Sequence, residues 1–177
     1  TLEWLIEQYR QSRIYGDLSR ATRNQRDNIF LGVIKKSGVH PFVGINEASI
    51  QKGIEDRAAT PFQAHHFSVA MRGLFRWAKQ ANHITVDPTA GISHPRRPRT
   101  GGFQEWTEDD VEAFERRWPL GTKERVWLHV LLFTGVRRGD AVRLGKQHIR
   151  KGILTIATEK TGTEISIPVL ADLAATI

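Results

Sequence analysis

The sequence predicts a mainly α-helical protein that carries one small β-hairpin in its second half. Three observations lead to this fold class. Apolar residues recur at helical spacing through residues 1–92, without an alternating run. A Pro-, Gly- and Arg-rich segment follows at 93–104. Two β-rich runs, 153–157 and 164–168, are joined by a Lys-Thr-Gly-Thr turn. A chain of 177 residues is long enough for one large domain or two small ones.

The first helices are predicted from apolar positions three and four residues apart. The first helix runs to about Gln11 on the stripe Leu2, Leu5, Ile6 and Tyr9. Ser19 is expected to cap a second helix that ends at Gly38. Its apolar side is Ile29, Phe30, Val33 and Ile34. A third helix begins near Asn46, with Ala48, Ile50 and Ile54 expected to face inward.

The clearest helix start is Thr60-Pro61-Phe62-Gln63. Thr60 is expected to cap the helix, and Pro61 fits the first turn, where a missing N–H is harmless. Gln63 can reach back to the cap. The helix is predicted to run to about Ala81. Its buried stripe is predicted to be Phe67, Ala70, Met71, Leu74, Phe75 and Ala78. Residues 1–92 are therefore predicted to form a compact four- or five-helix bundle without strands.

The net charge of +7 is concentrated in the first part of the chain. Residues 1–92 carry 12 Lys and Arg against 8 Asp and Glu, residues 93–104 carry three Arg and no acid, and residues 105–177 carry 11 of each sign. Two prolines and a Gly-Gly pair mark 93–104 as a linker. A basic domain joined to a basic linker indicates a polyanionic partner, most simply nucleic acid. The charge alone fits a merely solvated basic surface equally well.

The second half is predicted to mix helices with the hairpin. Thr107 is expected to cap a helix whose early acids favour the positive end of the helix dipole. Residues 123–134 are predicted to form a buried helix. The hairpin follows, and the alanine-rich residues 170–177 begin a last helix without a cap. This unit, 105–177, is therefore expected to be incomplete.

Composition excludes several classes of site. The absence of cysteine excludes a disulfide framework, a thiolate zinc site and a Cys nucleophile, and it fits a reducing compartment. The longest apolar neighbourhood, 126–133, is too short to span a bilayer, so no membrane partner is expected. No signal-peptide pattern is recognised at the start of the given sequence, and from the missing initiator Met we expect an excised fragment. His65, His66, His94 and His129 form no convincing ligand set, so no metal is expected.

The segment that could carry chemistry follows the predicted apolar helix. That helix ends at Gly135, and Arg137 follows two residues later. Asp140 is expected to lie one helical turn beyond Arg137 and to hold its guanidinium in one orientation. An arginine at such a junction can clamp phosphate oxygens through two parallel hydrogen bonds. Taken alone, Thr-Gly-x-Arg is more typical of an ordinary helix–helix turn whose arginine makes a salt bridge.

The downstream pattern changes this balance. Lys160 lies 23 positions after Arg137, at the tip of the predicted hairpin. Thr-Gly-x-Arg-x-Gly-Asp-x-x-x-Leu, then Lys-Thr-Gly, then Ile-x-Ile-Pro resembles the catalytic domain of tyrosine recombinases of the phage-integrase type. The resemblance implies that Arg137 is the first catalytic arginine and Lys160 the hairpin lysine. It gives Asp140, Thr134 and Gly135 supporting roles.

One position departs from the family pattern, because His148 stands where an acid is common. The first half agrees with the resemblance more loosely. Residues 72–78, followed by Ile84 and Asp87-Pro88, are similar to the last helix and exit of the family's core-binding domain. The implied fold is a SAM-like helical bundle followed by a truncated α+β catalytic domain. The implied domains are 1–92 for DNA binding, 93–104 as linker and 105–177 as the first part of the catalytic domain.

The resemblance implies site-specific DNA recombination or integration through a 3′-phosphotyrosyl intermediate, with no cofactor. The second arginine, the remaining His, Lys or Trp groups and the nucleophilic tyrosine are expected beyond residue 177. Tyr9 and Tyr15 lie in the wrong domain. The fragment is therefore expected to bind double-stranded DNA without cutting it. The full-length protein is expected to form a synaptic tetramer on DNA, in the cytoplasm of a bacterium or a phage host, associated with the nucleoid.

Nine cations are predicted to contact DNA. They are Arg96, Arg97 and Arg99 in the linker, Arg20, Arg23 and Arg26 in the second helix, and Arg72, Arg76 and Lys79 in the fourth. Phosphate contacts of this kind position a protein without reading sequence. The six helix cations are the candidates for groove contact, and the alternative for half or more of them is that they are simply solvated. A helical DNA-binding regulator without chemistry stays open as an alternative. A protein–protein adaptor is disfavoured by the basic linker.

Overall fold

The structure is a computed structural model that describes residues 1–96 and 101–177. The chain divides into two compact units, residues 1–101 and 102–177. The first unit contains α1 (Leu2–Gln11), α2 (Arg13–Gly16), α3 (Arg20–Ser37), α4 (Glu47–Glu55) and α5 (Pro61–Gln80). A short 3₁₀ turn, Phe42–Gly44, precedes α4. The four helices predicted from sequence are confirmed. The one-turn helix α2 was not predicted, because four residues are too few to show a helical period.

The helix starts follow the predicted caps, with one exception. The Ser19 hydroxyl accepts a hydrogen bond from the Thr22 N–H, and the Asn46 side chain accepts one from the Ser49 N–H. Thr60 stands at the cap position as predicted, but its side chain does not accept a hydrogen bond from a helix N–H. Thr60 precedes Pro61 as expected, but its φ of −128° and ψ of 78° are not the extended conformation of a cap. Its hydroxyl therefore contacts the Arg57 carbonyl and the Gln63 side chain instead of the helix N–H groups.

Helix α5 is the centre of the first unit's core. Its predicted stripe is buried throughout, and it packs against α1, α3 and α4. The largest fully buried side chains around it are Tyr9, Phe30, Phe75, Leu2, Leu5, Ile6 and Leu74. On α4, Ile50 and Ile54 face inward as predicted, but Ala48 is exposed. Two residues before Ile50 is about 200° around a helix, so Ala48 cannot share that face.

Polar contacts around Asp27 join the first three helices. The Asp27 carboxylate accepts hydrogen bonds from Arg10 Nε on α1 and from the Tyr15 hydroxyl on α2, both at 2.8 Å. Burial and the adjacent Asp27 carboxylate raise the pKa of Tyr15 to about 12. Burial also raises the pKa of Tyr9, although nearby Arg26 opposes the shift. Both phenols are therefore held neutral inside the bundle.

The second unit contains α6 (Glu108–Arg117), α7 (Lys123–Thr134), α8 (Arg138–Ala141) and α9 (Ala171–Ala174). Its strands are β1 (Ile149–Arg150), β2 (Ile153–Ala157) and β3 (Glu164–Pro168), antiparallel in the order β1-β2-β3. The predicted hairpin is confirmed. The prediction missed β1, which is two residues long and offers no alternation to recognise.

Helix α6 begins as predicted. Thr107 accepts a hydrogen bond from the Asp110 N–H, and Asp110 in return accepts from the Thr107 N–H and hydroxyl. These bonds lower the pKa of Asp110, because they stabilise the ionised carboxylate.

Helix α7 is not the buried helix that the sequence predicted. Within the described part of the second unit, His129 is the one buried residue of α7, whereas Trp127 and Leu132 are 43% and 47% exposed. Apolar residues occur all round this helix, but α8 and α9 cover one side of it.

His129 gives α7 its polar attachment. Its Nε2 lies 2.8 Å from both Glu115 on α6 and Arg125 Nε, and its Nδ1 lies 2.7 Å from the Thr176 hydroxyl. The histidine therefore joins α7 to α6 and to the end of the chain.

Candidate phosphate-binding site and nucleic-acid interface

The candidate site begins where α7 ends. Gly135 has a φ of 61°, a left-handed conformation that glycine adopts without steric cost, and its N–H donates to the Leu131 carbonyl. The Thr134 hydroxyl donates to the Val130 carbonyl and accepts from the Val136 N–H. Thr134 and Gly135 therefore fix the turn that delivers Arg137 directly after the helix.

Arg137 caps α8 from an extended backbone conformation, and its side chain is exposed. Within residues 1–96 and 101–177, no hydrogen bond or ion pair of its guanidinium is found. The guanidinium can therefore accept an anion without first breaking an internal contact. A planar fork of donors in this state suits the oxygens of a phosphodiester.

The Asp140 carboxylate does not contact the Arg137 guanidinium, contrary to the sequence expectation, although the Asp140 N–H donates to the Arg137 carbonyl at 2.9 Å. Its side chain is almost completely buried, and its Oδ1 accepts a hydrogen bond from the Glu159 N–H at 2.7 Å. The same oxygen lies 3.4 Å from Arg143 Nη1. The expectation failed because residues three apart meet when both are helical, whereas Arg137 lies outside α8 with its backbone extended.

The bond from Glu159 to Asp140 joins the two parts of the site. Glu159 immediately precedes Lys160 in the loop between β2 and β3, so Asp140 attaches this loop to α8. Gly139 permits the close approach, since a Cβ there would lie 3.3 Å from a Glu159 carboxylate oxygen. Sequence reasoning included Gly139 in the motif without giving it a role, and it missed the part of Glu159, because a backbone donor leaves no motif.

Lys160 lies in a hairpin loop that is closed by its own hydrogen bonds. The Thr158 N–H donates to the Thr163 carbonyl at 2.9 Å, and the Gly162 N–H donates to the Thr158 carbonyl at 2.8 Å. Gly162 has a φ of 67°, which the turn requires. The Lys160 side chain is exposed, and its ammonium has no partner in the described part of the chain.

The predicted DNA-contacting cations of the first unit fall into two groups. The first group is exposed and makes no side-chain hydrogen bond or ion pair with the described residues. It consists of Arg20, Arg76, Lys79 and Arg96.

The second group, Arg23, Arg26 and Arg72, is held by internal contacts. Arg23 donates weakly to the Gly16 carbonyl at 3.4 Å. Arg26 donates to the Tyr9 hydroxyl and lies against Gly73, where a Cβ would meet its Nη1 at 2.7 Å. Arg72 donates to the carbonyls of Thr89 and Ile92 and contacts His94. All nine cations looked alike in the sequence, because helical spacing does not distinguish a guanidinium folded inward from one in solvent.

Arg97 and Arg99 lie outside the described residues. In the part of the chain that is described, no three His, Cys, Asp or Glu side chains are grouped as a metal site would require. No helix there has both the length and the apolar character to cross a membrane.

Comparison with solved structures identifies the fold. The chain superposes on a lambda integrase dimer bound to a COC′ core site with a TM-score of 0.80 at 19% sequence identity, covering 95% of this chain and 60% of that one. A lambda integrase tetramer bound to a Holliday junction gives a TM-score of 0.79 at 18% identity, covering 98% of this chain and 53% of that one.

The chain has the integrase fold. The Tn1549 transposon integrase, in complex with circular intermediate DNA, agrees at a TM-score of 0.69 and 14% identity, covering 99% of this chain and 62% of that one. The chain spans between about half and two thirds of the length of these neighbours. No protein-family model matches the sequence, and no curated protein matches it.

Proposed function

We propose that this chain is part of a tyrosine-type site-specific DNA recombinase and that its 177 residues bind double-stranded DNA. The observation that carries the proposal is the pair of solvent-facing cations, Arg137 and Lys160, on two turns that the Asp140–Glu159 hydrogen bond joins. The integrase fold supports it. The neighbours in solved complexes are bound to a core site, a Holliday junction or circular intermediate DNA.

In the proposed reaction, a tyrosine hydroxyl attacks a DNA phosphodiester, forms a 3′-phosphotyrosyl bond and releases a 5′-hydroxyl. A second strand's 5′-hydroxyl reverses the step. The pentavalent transition state carries extra negative charge, which Arg137 can meet with two donors. Removing such a group typically costs about 3–4 kcal/mol of barrier. Lys160 can give a proton to the departing 5′ oxygen as general acid.

Neither tyrosine of this chain suits the nucleophile. Tyr9 and Tyr15 are 1% and 4% exposed, so a phosphodiester cannot reach their hydroxyls while the bundle is folded. Their raised pKa values further disfavour the phenolate. We therefore propose that the nucleophile lies outside these 177 residues, which by themselves bind DNA without cutting it.

We propose that Arg20, Arg76, Lys79 and Arg96 contact phosphates, together with Arg97 and Arg99 of the linker. Their exposed positions without internal partners support this assignment for the first four. Arg23, Arg26 and Arg72 are assigned structural contacts instead. The full-length protein would act on bacterial or phage DNA in the cytoplasm and assemble as a synaptic tetramer.

Salt dependence of DNA binding tests the binding half of the proposal. Each lost phosphate contact lowers the magnitude of the negative slope of log Kobs against log[salt] by about 0.9. Arg76→Ser and Lys79→Ser should each lower that magnitude by about the same amount. Lys35→Ser is the matched control. Lys35 is an exposed cation in the last turn of α3, at the opposite end of that helix from Arg20, and it is not among the nine cations predicted to contact DNA. An equal decrease in the Lys35→Ser variant would show that any surface cation attracts DNA to the same extent. The assignment of Arg76 and Lys79 as phosphate contacts would then be refuted.

A nicked suicide substrate tests the chemical half. The 177-residue chain should give no covalent product with it. The longer natural chain should give one, and Arg137→Ala in that chain should reduce its rate about 100- to 1000-fold. No covalent product from the longer chain under any condition would favour the alternative, a helical regulator that binds DNA without chemistry. A covalent product from the 177 residues would refute the assignment of the nucleophile.

A further inference from the structure

The segment that follows α5 is attached to that helix by a cluster of polar side chains. Asp87 fixes the start of the segment, since its Oδ1 accepts from the Thr89 N–H at 2.8 Å and from the Thr89 hydroxyl at 2.7 Å. Thr89 and Ile92 are buried. Residues 93–96 then lead to the basic linker. The direction in which the linker leaves the first unit therefore depends on how residues 92–95 are held.

Arg72 of α5 is the main attachment. Its Nη2 donates to the carbonyl oxygens of Thr89, at 3.3 Å, and Ile92. Its Nη1 lies 2.7 Å from His94 Nε2. The guanidinium thus contacts three residues of the exit segment. These contacts explain why Arg72 is turned towards the protein and not only towards solvent.

These partners determine where His94 carries its proton. A guanidinium has donors and no acceptor, so His94 Nε2 must present its lone pair to Arg72. The proton of the neutral ring is then on Nδ1, where it can donate to the Ser68 hydroxyl at 2.8 Å. Ser68 is buried on α5. A neutral His94 with this tautomer satisfies both neighbours.

His65, which lies on α5 one helical turn before Ser68, completes the cluster. Its Nδ1 lies 3.0 Å from the Pro95 carbonyl oxygen, to which it can donate, and its ring centroid is 5.5 Å from that of His94. Two histidines and one arginine therefore lie together without a carboxylate among the groups that act on His94.

We propose that Ser68, Arg72 and His65 form a proton-sensitive anchor that holds residues 92–95 to α5 while His94 is neutral. A proton on Nε2 would place one N–H against another and one positive charge beside the Arg72 guanidinium. The bond from Arg72 Nη1 to His94 is then lost, and the attachment of residues 92–95 to the helix weakens, while Arg72 Nη2 can still donate to the Ile92 carbonyl. The anchor itself does not depend on the proposed function, whereas any effect on DNA binding by the linker does.

The sign of the expected pH dependence follows from the surroundings of His94. Its burial lowers its pKa below the ordinary value of 6.5, and the charges of Arg72 and His65 lower it further. A released His94 has the ordinary value and binds protons more readily than an anchored one. The anchor is therefore complete above pH 6.5 and weakens as the pH falls below it.

Amide hydrogen exchange and imidazole ¹⁵N shifts of the 177-residue chain test the anchor between pH 7.5 and about 5. The Ile92 N–H, which donates to the Thr89 carbonyl at 3.2 Å, is the reporter. Its protection factor should fall by up to about tenfold per pH unit below 6.5. The fall should share its midpoint with the His94 titration, while core amides of α5 keep their protection.

His94→Gln separates the anchor from general acid sensitivity. The glutamine amide oxygen can accept from Arg72 but cannot gain a proton, so Ile92 protection should lose its pH dependence. His40→Gln is the matched control, since His40 is an exposed histidine of the same unit, and it should keep the wild-type response. A wild-type response that persists in His94→Gln would overturn the proposal. So would protection that does not follow the His94 titration, or a His94 proton on Nε2 at pH 7.5.

DNA affinity forms a separate arm of the experiment. If the linker contacts DNA, wild type and His94→Gln should differ in affinity at pH 5.5 and agree at about pH 7.5. Equal affinity at both pH values, with the exchange result intact, would contradict the proposed linker contact and leave the anchor standing. If the protection of the Ile92 N–H does not depend on pH as expected, the proposed anchor is refuted whatever the DNA affinities are.

Discussion

Replacement of Asp140 by alanine should release the loop that carries Lys160 from α8. The buried carboxylate receives the Glu159 N–H at 2.7 Å, and this is the shortest hydrogen bond between α8 and the loop. The contact with Arg143 is longer, at 3.4 Å, and the arginine side chain is 44% exposed. A contact this long, whose arginine is partly in solvent, contributes little, so the effect of the substitution should come mainly from the Glu159 bond.

The magnitude can be set from the charge of the acceptor. A hydrogen bond to a charged group contributes about 1.5–3 kcal/mol. Its loss should therefore increase opening of the loop about 10- to 100-fold. Asp140→Asn keeps an oxygen acceptor without the charge and should retain about 0.5–1.5 kcal/mol. The asparagine variant is thus the matched control for shape.

Backbone ¹⁵N relaxation at Lys160 and exchange of the Glu159 amide measure this release. In Asp140→Ala the order parameter of Lys160 should fall from about 0.85 towards values below about 0.6. Asp140→Asn should lie between the alanine variant and wild type, while Gly162 keeps its bond to the Thr158 carbonyl in all three proteins. An unchanged order parameter at Lys160 in Asp140→Ala would refute the idea that Asp140 positions the lysine.

Two further substitutions test the first unit. Tyr15→Phe removes the hydroxyl that donates to Asp27 and should lower the free energy of unfolding by about 1.5–3 kcal/mol at pH 8. Wild type should also lose stability as the pH rises from 10 towards about 12, because the fold raises the pKa of Tyr15, and denaturant titrations should show a smaller loss in Tyr15→Phe. Leu74→Ala, at a position that is 0% exposed, should cost about 2–5 kcal/mol by urea denaturation. Leu31→Ala, at 59% exposure, should change stability by no more than about 0.5 kcal/mol, and equal losses at both positions would contradict the described core.

The sequence predicted elements whose signals are local. Six apolar residues on one face of α5 and the alternation on either side of a Lys-Thr-Gly-Thr turn are contained in short windows, and both elements were found where expected. Elements without a period, α2 and β1, escaped prediction for the same reason. The prediction that α7 is buried was wrong. An apolar composition shows that a helix could be covered on several faces, but it does not show which faces other elements cover.

The sequence proposed residues for the candidate site but could not predict how they are connected. Spacing and resemblance proposed Arg137 and Lys160, whose role stays a prediction. The partner of the Asp140 carboxylate could not be predicted, because it is the backbone N–H of a residue 19 positions away. Every residue except proline has such an N–H, so the sequence does not mark this one. The expected pairing with Arg137 assumed that the helix had already begun at the arginine. One residue of error at a helix start was enough to direct a carboxylate to the wrong partner.

Arg72 and Arg76 show how a single helical turn separates a structural from a solvent-facing cation. Both are arginines of α5, four residues apart, and helical spacing predicted the same role for both. Arg72 lies where the exit segment returns along the helix, so carbonyl oxygens and His94 take its donors. Arg76 lies on the exposed surface and keeps its donors for a partner. A count of charges along the chain therefore overstates the number of cations that keep their donors for a partner.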